Sequence, residues 1–255
     1  MNAPASRQVE ELGRDMGRYF GLSPKLVCRT LPHGAIVLSG FPTADLNYVV
    51  LTSDAQAAEL QEALEAASVA EVNAILIIEE TAEQICRLAE EAGAAKVGQM
   101  PLMRRAAAPV SLASGPVARL ARPEDIDSAN RAMADAFSLE LAEVEACVPA
   151  AHYAGESVDL WIVEEDREVA GCGAFIREGD RVGIYAMATA PDHRRKGVGT
   201  AVLAHAMAHY QDAGVSCFTL GATEQGFPLY EKAGFAVSSQ PFVFVIGHST
   251  QFPGD

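Results

Sequence analysis

The chain contains no run approaching the roughly 18 consecutive apolar residues that cross a bilayer, and residues 1–18 lack the basic-then-apolar pattern of a secretory leader. A cytoplasmic protein without membrane contact is the expectation. The five cysteines, Cys28, Cys86, Cys147, Cys172 and Cys217, are odd in number and form no close pairs, and the six histidines show no ligand spacing. This pattern fits reduced thiols in apolar positions better than disulfides, and it predicts no metal site. Basic residues are scarce: 19 Lys and Arg stand against 34 Asp and Glu, a net charge of −15. Nucleic-acid binding is disfavoured, because neutralising phosphates takes a basic face, and partners are expected to be neutral or cationic. No nucleophile–base arrangement stands out, no glycine-rich loop ends in the Gly-Lys-Ser/Thr of a P-loop, and no glycine pair has the third glycine of a dinucleotide fingerprint.

What is present is ordinary for a folded α/β protein. With 255 residues, 49% hydrophobic and 21% charged, the chain can build one large or two modest domains. The stretch 104–116, with Ala106-Ala107-Ala108-Pro109 and Ser114-Gly115-Pro116, has linker composition. It suggests a first domain at 1–105, a linker at 106–116 and a second domain at 117–255.

In the first domain, Val9, Leu12, Met16 and Tyr19 mark an amphipathic helix, followed by short strands near 26–29 and 35–38. Strand 48–51, helix 54–67, strand 74–78, helix 82–92 and strand 95–100 come next. Ser53 with Gln56 and Thr81 with Gln84 have capping-box spacing. The second domain reads as strand 117–121, helix 123–137, an irregular acidic stretch to 155, strands 159–164, 168–176 and 181–189, a glycine loop with its helix, strand 215–220, a short helix at 228–232 and a last strand at 235–246. Both halves share the order strand-helix-strand-helix-strand, which suggests a degenerate tandem repeat of mixed sheets flanked by helices.

The glycine loop, Arg194-Arg195-Lys196-Gly197-Val198-Gly199-Thr200, lies between a strand and a helix whose apolar residues Val198, Val202, Leu203, Ala206, Met207 and Tyr210 recur until Gly214. Its three cations form a basic run in an acidic chain. Such a run is either solvated surface or an anion site, and the adjoining glycines favour the anion, because they open a helix whose free amides and positive dipole end attract negative charge. Gly171-Cys172-Gly173 reads as close backbone packing in a strand. The first half has Thr52-Ser53-Asp54 at the corresponding place, with a carboxylate that would repel phosphate.

Residues 187–200, Met-Ala-Thr-Ala-Pro-Asp-His-Arg-Arg-Lys-Gly-Val-Gly-Thr, resemble the acyl-coenzyme-A-binding motif of the GNAT superfamily of N-acetyltransferases. Residues 228–235, Pro-Leu-Tyr-Glu-Lys-Ala-Gly-Phe, resemble a second family signature in which a short helix bears a tyrosine and Gly-Phe turns into the final strand. The resemblance covers 117–255 and implies the acyl-CoA N-acyltransferase fold; by element order alone, the first half resembles a degenerate GNAT-like domain.

The resemblance further implies the site. Amides of Arg195, Lys196, Gly197, Val198, Gly199 and Thr200 would hold the coenzyme A pyrophosphate, with Arg194, Arg195 and Lys196 as countercharge. Met187, Ala188 and Thr189 would line the pantetheine arm, and Tyr230 would be the general acid. Gly234 would end the short helix in the left-handed region, and Phe235 would anchor the chain in the core. Two departures stand out. Thr223 occupies a position where the family commonly has an Asn that contacts the cofactor. Arg195 replaces a usual glycine, tolerable if it takes negative φ.

The general base is left open among Glu224, Tyr185 and His152. The implied activity is transfer of acetyl from acetyl-CoA, a co-substrate, to the amine of a small molecule or peptide, without a metal. Family analogy allows a homodimer. Two alternatives remain: a coenzyme-A-binding sensor without turnover, or an acyltransferase for longer acyl chains.

Overall fold

The structure is a computed structural model and describes residues 5–110, 115–149, 151, 153, 158–248 and 250. It divides into two compact units, Met1–Leu102 with Val237–Asp255, and Met103–Ala236.

The first unit begins with α1 (Ala5–Tyr19), whose apolar stripe buries Val9, Leu12, Met16 and Tyr19. The chain continues through β1 (Val27–Leu31), β2 (Gly34–Leu38), β3 (Asn47–Leu51), α2 (Ala57–Val69), β4 (Ala74–Ile78), α3 (Glu83–Glu91) and β5 (Ala95–Gln99). β3 and β4 pair in parallel, and α2 supplies the crossover that parallel neighbours need. Alternation along β3 makes three layers: Val49 and Leu51 join the core that includes Leu60 and Leu64 of α2 and Ile85 of α3, whereas Val50 meets α1. That contact is close enough that a Cβ on Gly13 would come within 2.5 Å of Val50 Cγ2.

After β5 come β6 (Leu102–Ala106), β7 (Ala118–Leu120), α4 (Ile126–Phe137), α5 (Leu141–Cys147), β8 (Asp159–Glu165), β9 (Glu168–Glu178), β10 (Arg181–Thr189), α6 (Val198–Asp212), β11 (Cys217–Gly221), α7 (Phe227–Lys232), β12 (Ala236–Ser239) and β13 (Phe242–Ile246). The second sheet is seven-stranded, ordered β12-β6-β11-β10-β9-β8-β7. Val182 and Ile184 of β10 and Phe218 and Leu220 of β11 pack with Val202, Leu203, Met207 and Tyr210 of α6. α4 packs on β9 and β10.

The six-stranded first sheet runs β1-β2-β3-β4-β13-β5. Read from β8, the second runs β8-β9-β10-β11-β6-β12, so both halves contain the same arrangement and the second adds β7 at its edge. The repeat expected from the sequence is therefore present, with a strand exchange. β6 sits in the second sheet where β13 sits in the first.

This exchange corrects the boundaries 1–105, 106–116 and 117–255. The segment 235–246 does not form one strand: Pro241 lacks a ladder donor, the chain breaks there, and β13 pairs with β4 and β5 of the first sheet. Its Phe244 and Ile246 enter the first core. Residues 102–106, assigned to the first domain and its linker by their Arg and Ala content, form β6. The acidic stretch after 137 contains α5. α2 starts later than predicted, with Gln56 as its cap and Glu59 as its box partner in place of Ser53 and Gln56, and α3 follows Ala82 with no side-chain cap from Thr81.

Candidate active site

The parallel ladder between β10 and β11 pairs Arg181, Val182, Gly183 and Ile184 with Cys217, Phe218, Thr219 and Leu220, and stops there. β10 nevertheless runs on to Thr189, held by β9 on its other side. Between Tyr185 and Ala188 the register with β9 slips, and Ala186 takes φ 47°, in the left-handed region. This bulge bends the strand and frees its continuing edge from the ladder with β11. Met187 and Thr189 therefore turn toward the α6 side, Met187 against the core and Thr189 Oγ1 3.6 Å from where a Cβ on Gly199 would stand. Ala188 is buried opposite Cys172.

Gly171 and Gly173 of β9 let these layers approach. A Cβ on Gly171 would lie 2.5 Å from Val198 Cγ1 and 2.7 Å from the Ala188 carbonyl, and one on Gly173 would lie 2.4 Å from Met187 Sδ. Close packing is their role, as predicted.

Past Thr189, Ala190 still donates to the Ala170 carbonyl at 3.0 Å, and His193 and Arg194 close a short turn on Ala190 and Pro191. The loop then takes two positive φ values, Arg195 at 63° and Gly197 at 85°, before α6 begins. Gly197 is the helix cap and provides no side-chain bond; Ala201 is the first residue whose amide donates back, to the Gly197 carbonyl at 2.9 Å. The amides of Val198, Gly199 and Thr200 therefore precede the first intrahelical donor. Arg194, Arg195 and Lys196 are exposed beside them, with the Arg194 guanidinium 3.4 Å from the carbonyls of both Thr189 and Ala136. An exposed helix start without its own acceptor, flanked by three cations and an open strand edge, suits a phosphorylated ligand with an amide-bearing arm.

Arg195 is a correction. The sequence makes this substitution acceptable for negative φ, and the structure places the residue in the left-handed region, which costs a non-glycine residue about 1–2 kcal/mol.

Tyr230 is buried on α7 and packs edge-on against Phe235, ring centroids 6.1 Å apart. Burial pushes its hydroxyl up to about 12, so it holds its proton throughout the neutral range. Gly234, at φ 85°, ends the helix, and Phe235 donates back to the Tyr230 carbonyl at 3.0 Å, fixing the tyrosine's turn. Thr223 is exposed, and its hydroxyl accepts from the Gly226 amide at 3.1 Å. It braces the start of α7 while its hydroxyl hydrogen is still available to a ligand.

Of the open base candidates, Glu224 is exposed, Tyr185 is half-buried on β10 and His152 lies outside the described residues. Cys172 and Cys217 are buried, and burial raises the Cys172 thiol to about 12, so it is no nucleophile at neutral pH. The expectation of apolar thiols fails at Cys28, which is exposed on the edge strand β1. Among the described residues there is no group of three or more His, Cys, Asp or Glu suited to a metal, and no helix is long and apolar enough to cross a membrane.

Two features escape the sequence reading. The bulge at Ala186–Met187 has no signal, because the strand pattern runs smoothly through it. The ring Nδ1 of His193 lies 2.8 Å from Glu165 Oε2, a contact between residues far apart in the chain and therefore invisible to local spacing.

Residues 156–237 match the family model described as an acetyltransferase (GNAT) domain. A curated relative, the uncharacterised N-acetyltransferase YedL of Escherichia coli (strain K12), is 36% identical over 92 residues, covering 34% of this chain and 57% of the relative. The chain thus spans little more than half of that protein. Among solved structures, a GCN5-related N-acetyltransferase from Kribbella flavida superimposes with a TM-score of 0.68 at 17% identity, covering 98% of this chain and 96% of the other. One from Sphaerobacter thermophilus gives 0.61 at 15% identity, covering 99% and 93%. A tandem GNAT protein from the clavulanic acid biosynthesis pathway gives 0.59 at 13%, covering 100% and 99%. At these identities the likeness is one of fold, and it extends over both units.

Proposed function

We propose that this chain transfers an acetyl group from acetyl-coenzyme A to a primary amine by direct attack, with Tyr230 as the acid, a reading supported by the match of residues 156–237 to the acetyltransferase (GNAT) domain model. The observation that carries the reading is the parallel pair that opens beyond Ile184 and Leu220 beside a helix start whose glycine cap supplies no side-chain acceptor.

Coenzyme A would supply an acyl group activated as a thioester. Amides of residues 195–200 hold its pyrophosphate, with countercharge from Arg194, Arg195 and Lys196, while Thr223 keeps one hydroxyl hydrogen for it. The open edge of Met187–Thr189 pairs with the amide groups of its arm as an added strand would, and an amide of Met187 or Ala188 polarises the thioester carbonyl. Pro191 ends that pairing, because the Ala190 amide faces the other way, to Ala170, and the next position on the open edge has no amide hydrogen.

Attack by the amine nitrogen would form the C–N bond as the C–S bond breaks; Tyr230 would donate its hydroxyl hydrogen to the departing sulfur and regain a proton from solvent, to which the amine sheds its own. The hydroxyl's value of about 12, against roughly 8.5 for a thiol, favours hydrogen-bond stabilisation of the thiolate over early complete proton transfer. The acceptor is an amine on a small molecule or peptide, and the net charge of −15 favours a cationic one.

The test is thiol release from acetyl-CoA across a panel of polyamines, amino sugars and lysine peptides. Turnover with at least one amine is expected, and Tyr230→Phe should lower kcat roughly 30- to 100-fold while coenzyme A still binds. Binding without turnover for every amine would replace this reading with a sensor, and preference for propionyl- or succinyl-CoA would replace the acetyl donor. The ionisation sign gives a further check: with the hydroxyl raised above its ordinary 10.0, activity depending on its proton should persist through pH 10.

A further inference from the structure

The anion loop is anchored at both ends, and one anchor is a contact that the proposed chemistry does not use. β8 ends at Glu165, and Asp166 and Arg167, at φ 53° and 70°, reverse the chain into β9. The hairpin fixes Glu165 opposite Glu168 and points its carboxylate at His193, whose ring Nδ1 lies 2.8 Å away and donates to it. His193 is the last residue of the turn begun at Pro191, and the next residue opens the stretch that takes left-handed φ at Arg195 and Gly197. On the α6 side, Val198 is locked against Gly171. The backbone of 194–197, with its strained Arg195, is thus stretched between the Glu165–His193 contact and the Gly171–Val198 contact.

We propose that the Glu165–His193 pair is a clasp that holds the pyrophosphate loop in its binding conformation, making His193 and Glu165 positioning residues for coenzyme A. The assignment rests on the coenzyme-A reading above. A loop carrying a residue with unfavourable φ relaxes when one tether is released, and its amides then no longer converge on one point. Binding the pyrophosphate must re-order them, so affinity falls while the reacting end of the ligand is untouched.

The experiment uses the full chain and the variants His193→Ala, Glu165→Ala, the double variant and His193→Asn, whose side-chain amide can replace the Nδ1 donor. Calorimetry measures coenzyme A binding, amide exchange reports the order of 194–200, and kinetics compare acetyl-CoA with S-acetylpantetheine, which lacks the pyrophosphate. Each alanine variant should weaken coenzyme A by about five- to tenfold, and the double variant by no more than the larger single effect. His193→Asn should recover most of the loss. The kcat with acetyl-CoA and the turnover of S-acetylpantetheine should change less than about twofold, and amide exchange in 194–200 should accelerate in the alanine variants. Affinity within about twofold of wild type in both alanine variants, or equal losses with S-acetylpantetheine, would overturn the clasp alone. If the wild-type chain fails to bind coenzyme A, both the clasp and the function it rests on fall.

Discussion

The N-terminal starts of α2 and α6 follow corresponding strands of the two sheets, and they treat their free amides in opposite ways. At α2, Glu59 folds back to accept from the Gln56 amide at 2.9 Å and from the His33 amide at 2.7 Å, and Glu79 accepts from the Ser53 amide at 2.7 Å. Both carboxylates are buried. The parallel pair before it is closed as well: β3 ends with Leu51 opposite Ile78, and the next amide, Glu79, donates to the Leu51 carbonyl. At α6 the cap is a glycine, no carboxylate folds back, and β10 continues beyond its parallel partner. The first unit has supplied its own anion where the second leaves room for an external one. The two repeats thus differ at one helix end: the first is sealed by its own carboxylates, and the second is left open, as the proposed site requires.

The sharpest way to break this contrast is to transplant the seal. Thr200 stands in α6 where Glu59 stands in α2, third residue of the helix in each. Thr200→Glu should self-cap α6 and lower coenzyme A affinity about 100-fold, because a carboxylate competes with the phosphate for amides and dipole, with little loss of melting temperature. Calorimetric binding beside a thermal melt checks both halves of the expectation, and unchanged affinity would mean that these amides do not hold the ligand.

The reverse change should damage stability alone. For Glu59, burial by itself raises the carboxyl, but the Gln56 amide and His33 outweigh it and hold it below its ordinary 4.5. The charged form is therefore the stabilising one: its contribution is complete above that value and is lost as pH falls below it. Glu59→Gln leaves two amides and an imidazole facing one neutral acceptor. It should cost about 1–3 kcal/mol at pH 7 and flatten the acid side of the stability–pH curve, without altering coenzyme A binding. Denaturant melts between pH 3 and 7 provide the comparison.

The smallest effect belongs to Arg195. Arg195→Gly removes the left-handed strain and one countercharge together, and adds backbone freedom to the unfolded chain. Stability should rise by no more than about 1 kcal/mol, and affinity for coenzyme A should fall two- to threefold at low ionic strength and converge with wild type at high salt. A loss of stability would show that the left-handed conformation is not strained.

Much of this was legible in the chain. The helix stripe of α1, the strands around Val49, Leu76 and Phe218, the helix opened by Gly197 and the turn at Gly234 all follow from periodicity and from residues whose backbone preferences are local. The positions of Lys196, Gly199 and Tyr230 along their elements followed for the same reason. The bulge at Ala186 was not legible, because its residues carry ordinary strand preferences and the irregularity arises from pairing with β9 against Gly173. The helix starts differ from the spacing of Ser53 and Thr81: the Ser53 amide donates to Glu79, just past β4, Glu59 boxes with Gln56 instead, and α3 starts after Ala82 without a side-chain cap. His33 with Glu59 and His193 with Glu165 likewise join residues that only folding brings together.

The exchange of β6 and β13 marks where local information ends. Phe242–Ile246 is an apolar strand by sequence alone, and the same pattern would suit a central position in either sheet. Which sheet it enters depends on the gap beside β4 and on the core that Phe244 and Ile246 fill, both properties of the assembled layers. The elements, the motif residues and the helix start of residues 197–200 are written locally, because glycine, proline and apolar spacing act within a turn or two. Which of two similar helix starts lacks a carboxylate cap, where a parallel pair opens and which sheet each exchanged strand completes emerge on folding. Those outcomes depend on carboxylates, ladders and packed faces contributed by distant parts of the chain.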